Sequence, residues 1–291
     1  MQPANAVRHR VGVVSYVNTL PLIDGLENLA DLELVPAVPS RLIDLLLTGA
    51  VEMALCSIID FQRAEAELDI VEAGLLGCDG STMTVRLFSQ VPLERVSAIH
   101  ADTDSHTSVA LCRILLAERH GVTDPEMIPL DAQVRDRAGR NPRTPWPEAM
   151  LLIGDKVVTQ PAPAVRYPYQ MDLGAEWKEM TGLPFVFASW LARRQQDVSV
   201  SAAILDRQRR HNKERLEFIL NHRTAQRGWP ADLARPYLTE MLRYDWDERM
   251  KAGVTRFFDL AVTHRIISQR KAERYRRVSA PGLRAHDHAT R

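Results

Sequence analysis

The stretch Val11–Leu26, "VGVVSYVNTLPLIDGL", decides the fold. "VGVVS" reads as a buried strand, an apolar run short enough to be sheet. Ser15, Tyr16, Asn18 and Thr19 then bring hydrogen-bonding side chains to its end. "TLPLIDGLENL" continues as a helix, with Pro21 in the first turn, where a residue without an N–H is tolerated. A strand that ends in polar side chains and feeds a helix is the lip of a ligand site in an α/β sheet.

Outward from this corner the pattern repeats. "LELVPAV" is a strand, and "PSRLIDLLLTG" is a helix with Leu42, Leu45 and Leu46 on one face and Gly49 as its left-handed stop. "VEMALCS" is a third strand and "SIIDFQRA" a short helix. This alternation implies right-handed crossovers and a parallel sheet. After "MTVRLFSQVPL" it restarts. "RVSAIHA" precedes a helix, "DTDSHTSVALCRILLAERHG", that begins with Asp, Ser and Thr caps and ends in Arg119, His120 and Gly121. "EMIPLD" and "EAMLLIGD" are strands, separated by the polar, proline-bearing loop "AQVRDRAGRNPRTPWP". "YQMDLGAEWKEMTG" is a strand entering a helix, and "LPFVFASWLA" is a long apolar run.

From Val198 onward the chain reads as helical, interrupted by Pro230 and Pro236. The expected architecture is two α/β lobes with a ligand cleft between them and a helical C-terminal portion. The first lobe takes residues 1–92, the second 93–187, and residues 188–275 return to the first. Residues 276–291 read as a frayed tail.

The bulk properties exclude several classes. With 291 residues, 45% apolar and 25% charged, the chain has the balance of a globular protein with a substantial core. Net charge is zero, but residues 193–291 carry 22 Lys and Arg against 12 Asp and Glu. In segments such as "LDRQRRHNKERLEFIL" the two signs interleave, which describes a solvated helix face rather than a nucleic-acid surface. These helices either complete one lobe or form a homodimer contact, and Trp246, Phe257 and Phe258 fall at core spacing. Cys56, Cys78 and Cys112 lack metal-type spacing and sit beside apolar residues, as reduced buried thiols do. No apolar leader precedes Val11, and no run approaches the ~18 residues of a membrane span. A cytoplasmic protein, with no membrane partner, is expected.

Candidate site residues gather at the strand ends. The first strand offers Ser15, Tyr16, Asn18 and Thr19, and the third offers Ser57. The second lobe offers Thr107 and Ser108 at a helix start and Asp155 after "LLIGD". Each such corner alone is ordinary capping. Three of them on matching strand ends, with helix N-termini, form a site for a carboxylate ligand. Thr84, after the Asp79-Gly80 turn, reads on its own as a β-branched strand residue. No metal-ligand histidine spacing, glycine-rich phosphate loop or G-x-S-x-G elbow occurs, and no metal is expected.

Taken together, "SYVNTLPL", "PSRLIDLLLTGAVEMALCS", "DTDSHTSVALCRILL", "LLIGD" and "DLGAEWKEMTGLPFVFASW" resemble the chorismate dehydratase family of the futalosine route to menaquinone. They occur in the family's order and span roughly two thirds of the chain. The resemblance implies a type 2 periplasmic-binding-protein fold. It also implies a cofactor-free lyase that removes water from chorismate, a small dicarboxylate, to give 3-[(1-carboxyvinyl)oxy]benzoate. It further implies a catalytic role for Asn18 and for a serine at the position of Thr84. Threonine keeps the hydroxyl and adds a methyl that stiffens χ1. Two alternatives remain at this stage: a non-catalytic binding protein for a small carboxylate, and the sister dihydroxynaphthoate synthase of the same pathway. The sister family opens with a different motif.

Overall fold

The computed structural model describes residues 9–130 and 146–278. Strands β1 (His9–Val13), β2 (Leu32–Pro36) and β3 (Met53–Ser57) are parallel, with Val11 opposite Leu34 on one side and Met53 on the other. β4 (Leu68–Cys78) follows β3 in the chain but lies beyond β10 (Phe185–Arg193), which runs antiparallel to both. The first sheet thus has the order β11-β4-β10-β3-β1-β2, where β11 is Leu242–Arg243; β12 (Tyr275–Arg276) also pairs with β4.

The second sheet has the order β7-β6-β8-β5-β9. Its strands are β5 (Val85–Ser89), β6 (Ala98–Ala101), β7 (Glu126–Pro129), β8 (Ala149–Ile153) and β9 (Tyr169–Asp172). β6 is parallel to β7 and β8, while β5 runs antiparallel to β8 and β9. Two α/β lobes are present, as expected, although each sheet is mixed rather than purely parallel.

Three sequence expectations change. The expected first-lobe range, residues 1–92, includes β5, but its ladder lies wholly in the second sheet, so the chain crosses between lobes ahead of Val85 rather than at residue 92. β4 carries no strand pattern in sequence: "LDIVEAGLLGC" is nearly all buried, and with both faces covered it shows no alternation. "TLPLIDGLENL" is not one helix. It is a 3-10 turn (Val17–Thr19), one α turn (Leu20–Ile23) and a second 3-10 turn (Leu26–Asn28), broken where Asp24 goes extended and Gly25 takes φ +89°. The break is held from the C-terminal helices: Gln208 Nε2 and Asn212 Nδ2 donate to the Asp24 carbonyl at 2.6 and 2.9 Å.

Other elements form as read. Pro39–Leu47 is a helix that buries Leu42, Ile43 and Leu46, with Gly49 at φ +76° just past its end. His106–His120 starts at the Ser105 cap and stops at Gly121, φ +69°. The C-terminal helices Ser199–Glu214 and Glu248–Thr263 pack on the first lobe, and Phe257 and Phe258 are fully buried. Residues 276–278, expected in a frayed tail, begin instead in β12, where Arg276 pairs with Asp69 at 2.6 Å. The rest of that tail, and residues 132–145 of the polar loop, lie outside the described residues.

The return crossing, between the helix Leu173–Thr181 and β10, shares its apolar core with the first lobe. Trp177 meets Phe185 edge-on at 5.1 Å, and Phe185 meets Phe257 at 5.0 Å. Lys178 Nζ and Arg249 Nη2 both donate to the Gly182 carbonyl, at 3.0 and 2.9 Å, and both reach Asp79 on the outward crossing. The two crossovers are therefore tied to each other.

Candidate functional site

The carboxyl ends of β1 and β3 face the second lobe, and the loops on either side bond one another directly. Tyr16 donates its hydroxyl to Asp104 Oδ2 at 2.9 Å, and its ring covers Gly154, where an added Cβ would sit 3.2 Å from it. The Val17 N–H lies 3.2 Å from both oxygens of Asp155. Thr107 Oγ1 accepts from the Ile59 N–H at 3.2 Å, and His106 Nδ1 lies 2.8 Å from buried Asp60. The three corners picked out in the sequence do converge. Their polar groups, however, mostly serve each other.

This sorts the candidates. Thr19 is fully buried, and its hydroxyl donates to the Val14 and Tyr16 carbonyls at 2.7 and 2.8 Å, which fixes the loop. The Ser108 hydroxyl lies 3.1 Å from that of Ser105, within the helix cap. Ser15 is exposed, and its carbonyl accepts from Arg227 at 3.1 Å. Thr107, Tyr16 and Asp155 latch the lobes. The groups left facing the interior are those of Asn18, Ser57 and Thr84, which are 8%, 1% and 2% exposed. Asn18 Oδ1 and Ser57 Oγ have no hydrogen-bond partner among the described residues. A buried polar atom without a partner costs about 1–3 kcal/mol, and one aimed at a ligand site regains a partner on binding.

Thr84 is placed by an unusual turn. Met83 sits at φ +60°, a conformation costly for a non-glycine residue, and the Thr84 N–H closes onto the Thr82 carbonyl at 2.6 Å. Asp172, the cap of the helix Leu173–Thr181, holds this turn. Its carboxylate accepts from the N–H groups of Thr82 and Met83 at 2.9 and 2.8 Å, and from Gly174 and Ala175 at 3.1 Å each. One carboxylate thus satisfies a helix N-terminus and a strained loop together. The turn directs Thr84 Oγ1 to within 2.6 Å of the Tyr237 hydroxyl, from a residue 153 positions later. The Asn18 side chain approaches that hydroxyl too.

Tyr237 and Arg227, with Trp229, are the residues that sequence reading missed. All three lie in the C-terminal helical third. Trp229 stacks on Tyr237, with ring centroids 4.7 Å apart. Pro236, without an N–H to continue the α-helical ladder, precedes a π turn, Tyr237–Met241, that carries the tyrosine inward. Pro230 and Pro236 were the only signal: each marks a break at which a side chain is re-aimed.

Charge in the site is mixed. Burial raises the carboxyl pKa of Asp155 against the donation from Val17 and the nearby Arg227 charge. Burial likewise raises Asp102, although Lys156 beside it opposes the shift. Lys156 bridges Asp102 and Asp104, the latter at 2.8 Å. Lys156 is thus already shared between two carboxylates, while Arg227 donates to the Ser15 carbonyl and lies near Asp155. The interior offers neutral hydroxyl and amide groups.

Comparison with known proteins agrees with this architecture. A chorismate dehydratase of Thermus thermophilus is 28% identical over 262 residues, which cover 85% of this chain and 93% of that protein. A crystal structure from Archaeoglobus fulgidus superposes with a TM-score of 0.70 at 16% identity, over 90% of this chain and all of the other. A Candida albicans protein described as having the generic periplasmic-binding-protein fold superposes with a TM-score of 0.62 at 12% identity, covering 91% and 92%. The two lobes are that fold. Residues 9–263 match a family described by menaquinone biosynthesis, and the chain belongs to that family.

Proposed function

We propose that the protein is a carbon–oxygen lyase that dehydrates chorismate to 3-[(1-carboxyvinyl)oxy]benzoate, without a cofactor, as a step of menaquinone biosynthesis. The observation that supports this reading is the approach of Thr84 and Asn18 to one buried hydroxyl, that of Tyr237, with Asn18 Oδ1 and the buried Ser57 hydroxyl left without partners among the described residues. Family membership and the Thermus thermophilus relative supply the substrate.

The chemistry asks little of a protein base. Loss of a ring proton and a ring hydroxyl aromatises the product, and a carboxylate of the substrate itself takes the proton. The ring C–H electron pair becomes part of the aromatic system, the C–O pair leaves with hydroxide, and that hydroxide takes the proton back from the carboxyl group to leave as water. The enzyme positions and stabilises. Orientation in a closed cleft supplies about 7–11 kcal/mol, and each donor aimed at developing charge about 3–4 kcal/mol. Asn18 and Thr84 hold the reacting ring and the departing oxygen. Ser57 bonds a carboxylate, and Arg227 balances the substrate's charge. Three buried free cysteines fit a cytoplasmic setting for this reaction.

A calorimetric titration with chorismate separates an enzyme from a binding protein. Continuous heat at low protein concentration, ending when chorismate is consumed, is the expected result. A saturable isotherm with chorismate recovered intact would make the protein a binder.

A further inference from the structure

The Tyr237 hydroxyl is fully buried between two residues from distant parts of the chain. A buried O–H needs an acceptor for its proton. Asn18 Oδ1 has no partner among the described residues, so it is not the acceptor of the Tyr237 proton. The Tyr244 hydroxyl stands near but makes no hydrogen bond. That leaves Thr84 Oγ1, at 2.6 Å, as the acceptor of the Tyr237 proton. The Thr84 hydroxyl then points its own proton away from Tyr237, into the pocket.

We propose that Tyr237 is a positioning residue that makes Thr84 a hydrogen-bond donor to the departing hydroxyl, through an ordered chain running from Tyr237 to Thr84 to substrate. The proposal rests on the dehydration reading and adds the direction of the hydrogen bonds. No proton leaves Tyr237 in the reaction. Burial raises its pKa far above that of a free phenol, so it remains a donor throughout the working pH range. Trp229, stacked on the ring, fixes its plane, and the π turn supplies its approach. The chain also accounts for threonine where the family resemblance implies serine. The β-branch limits the rotamers of Thr84, and Tyr237 selects the one whose proton faces the pocket.

The test is Tyr237→Phe, which removes the hydroxyl and keeps the stacked ring. Turnover of chorismate should fall about tenfold with KM within twofold, the scale of one lost hydrogen bond. In a Thr84→Val background the same change should have no further effect, because the chain already ends there. Unchanged kcat in Tyr237→Phe, or a full additional loss in the Thr84→Val background, would overturn the relay while leaving the dehydratase reading intact. Absence of turnover by the unaltered protein would overturn that reading and the relay together. Neutron diffraction checks the direction without any variant. A deuteron on Tyr237 directed at Thr84 Oγ1 supports the chain, and one on Thr84 directed at Tyr237 refutes it.

Discussion

Tyr16 of the first lobe donates its hydroxyl to Asp104 of the second across 2.9 Å, next to a main-chain bond from Val17 to Asp155. Both residues belong to the stretch that ends β1, so the loop that carries Asn18 is also the latch between lobes. A hydrogen bond to a charged acceptor contributes about 1.5–3 kcal/mol. Tyr16→Phe should therefore reduce the population of the closed form about tenfold or more, and small-angle scattering of the free protein should show a larger radius of gyration. An unchanged radius would mean that the other contacts suffice.

Asn18 keeps a buried carbonyl oxygen without a partner among the described residues, near the Tyr237 hydroxyl. Asn18→Ala removes that oxygen. Steady-state kinetics should show kcat lower by about a hundredfold, with chorismate affinity within a few-fold. Full turnover in this variant would remove Asn18 from the reaction.

Asp172 reaches both sides of the crossing. Asp172→Ala leaves the Thr82, Met83, Gly174 and Ala175 N–H groups without their acceptor and releases the strained Met83 turn. Thermal unfolding should register a loss of about 1–3 kcal/mol, and kcat should fall with it because Thr84 loses its placement. A stability loss with kcat unchanged would show that Thr84 is held by Tyr237 alone.

Gly174 is where the crossovers touch. A Cβ there would stand 2.5 Å from the Gly80 carbonyl oxygen and 2.7 Å from Cys78 Sγ, neither of which can swing aside. Gly174→Ala should destabilise the protein by about 1–3 kcal/mol through overpacking, measured by denaturant unfolding. A neutral result would mean that the two crossovers slide apart without cost.

Asp155 gives a signed pH dependence. Its folded-state pKa lies above the ordinary 3.8, chiefly through burial. The folded protein then holds this proton more tightly than the unfolded chain, so stability falls as pH rises from 3.8 through the raised value. Asp155→Asn, whose carbonyl still accepts from Val17, should flatten that part of the stability curve. An unaltered slope would assign it to Asp60 and Asp102, which burial shifts in the same direction.

The legible parts of the fold were those with local causes. The β1 corner, the Pro39–Leu47 helix with its Gly49 stop, and the Ser105-capped helix all carry their reasons within a few residues. β4 carries none: buried on both faces, it shows no period, and its place beyond β10 is set by pairing with a strand more than a hundred residues later. The site divides the same way. Asn18 lies in the polar break that ends β1, whereas Thr84 entered through family resemblance. Tyr237, Trp229 and Arg227 reach the pocket only because the C-terminal helices pack back on the first lobe. In sequence they look like any aromatic or basic residue on an amphipathic helix.

The central claim is tested most directly by weighing the product. Purified protein is incubated with chorismate alone, and the mixture is separated and read by mass. The account predicts one new species lighter than chorismate by one water, with the carboxyvinyl ether retained. Recovery of intact chorismate, or a product that has lost pyruvate instead, would contradict it.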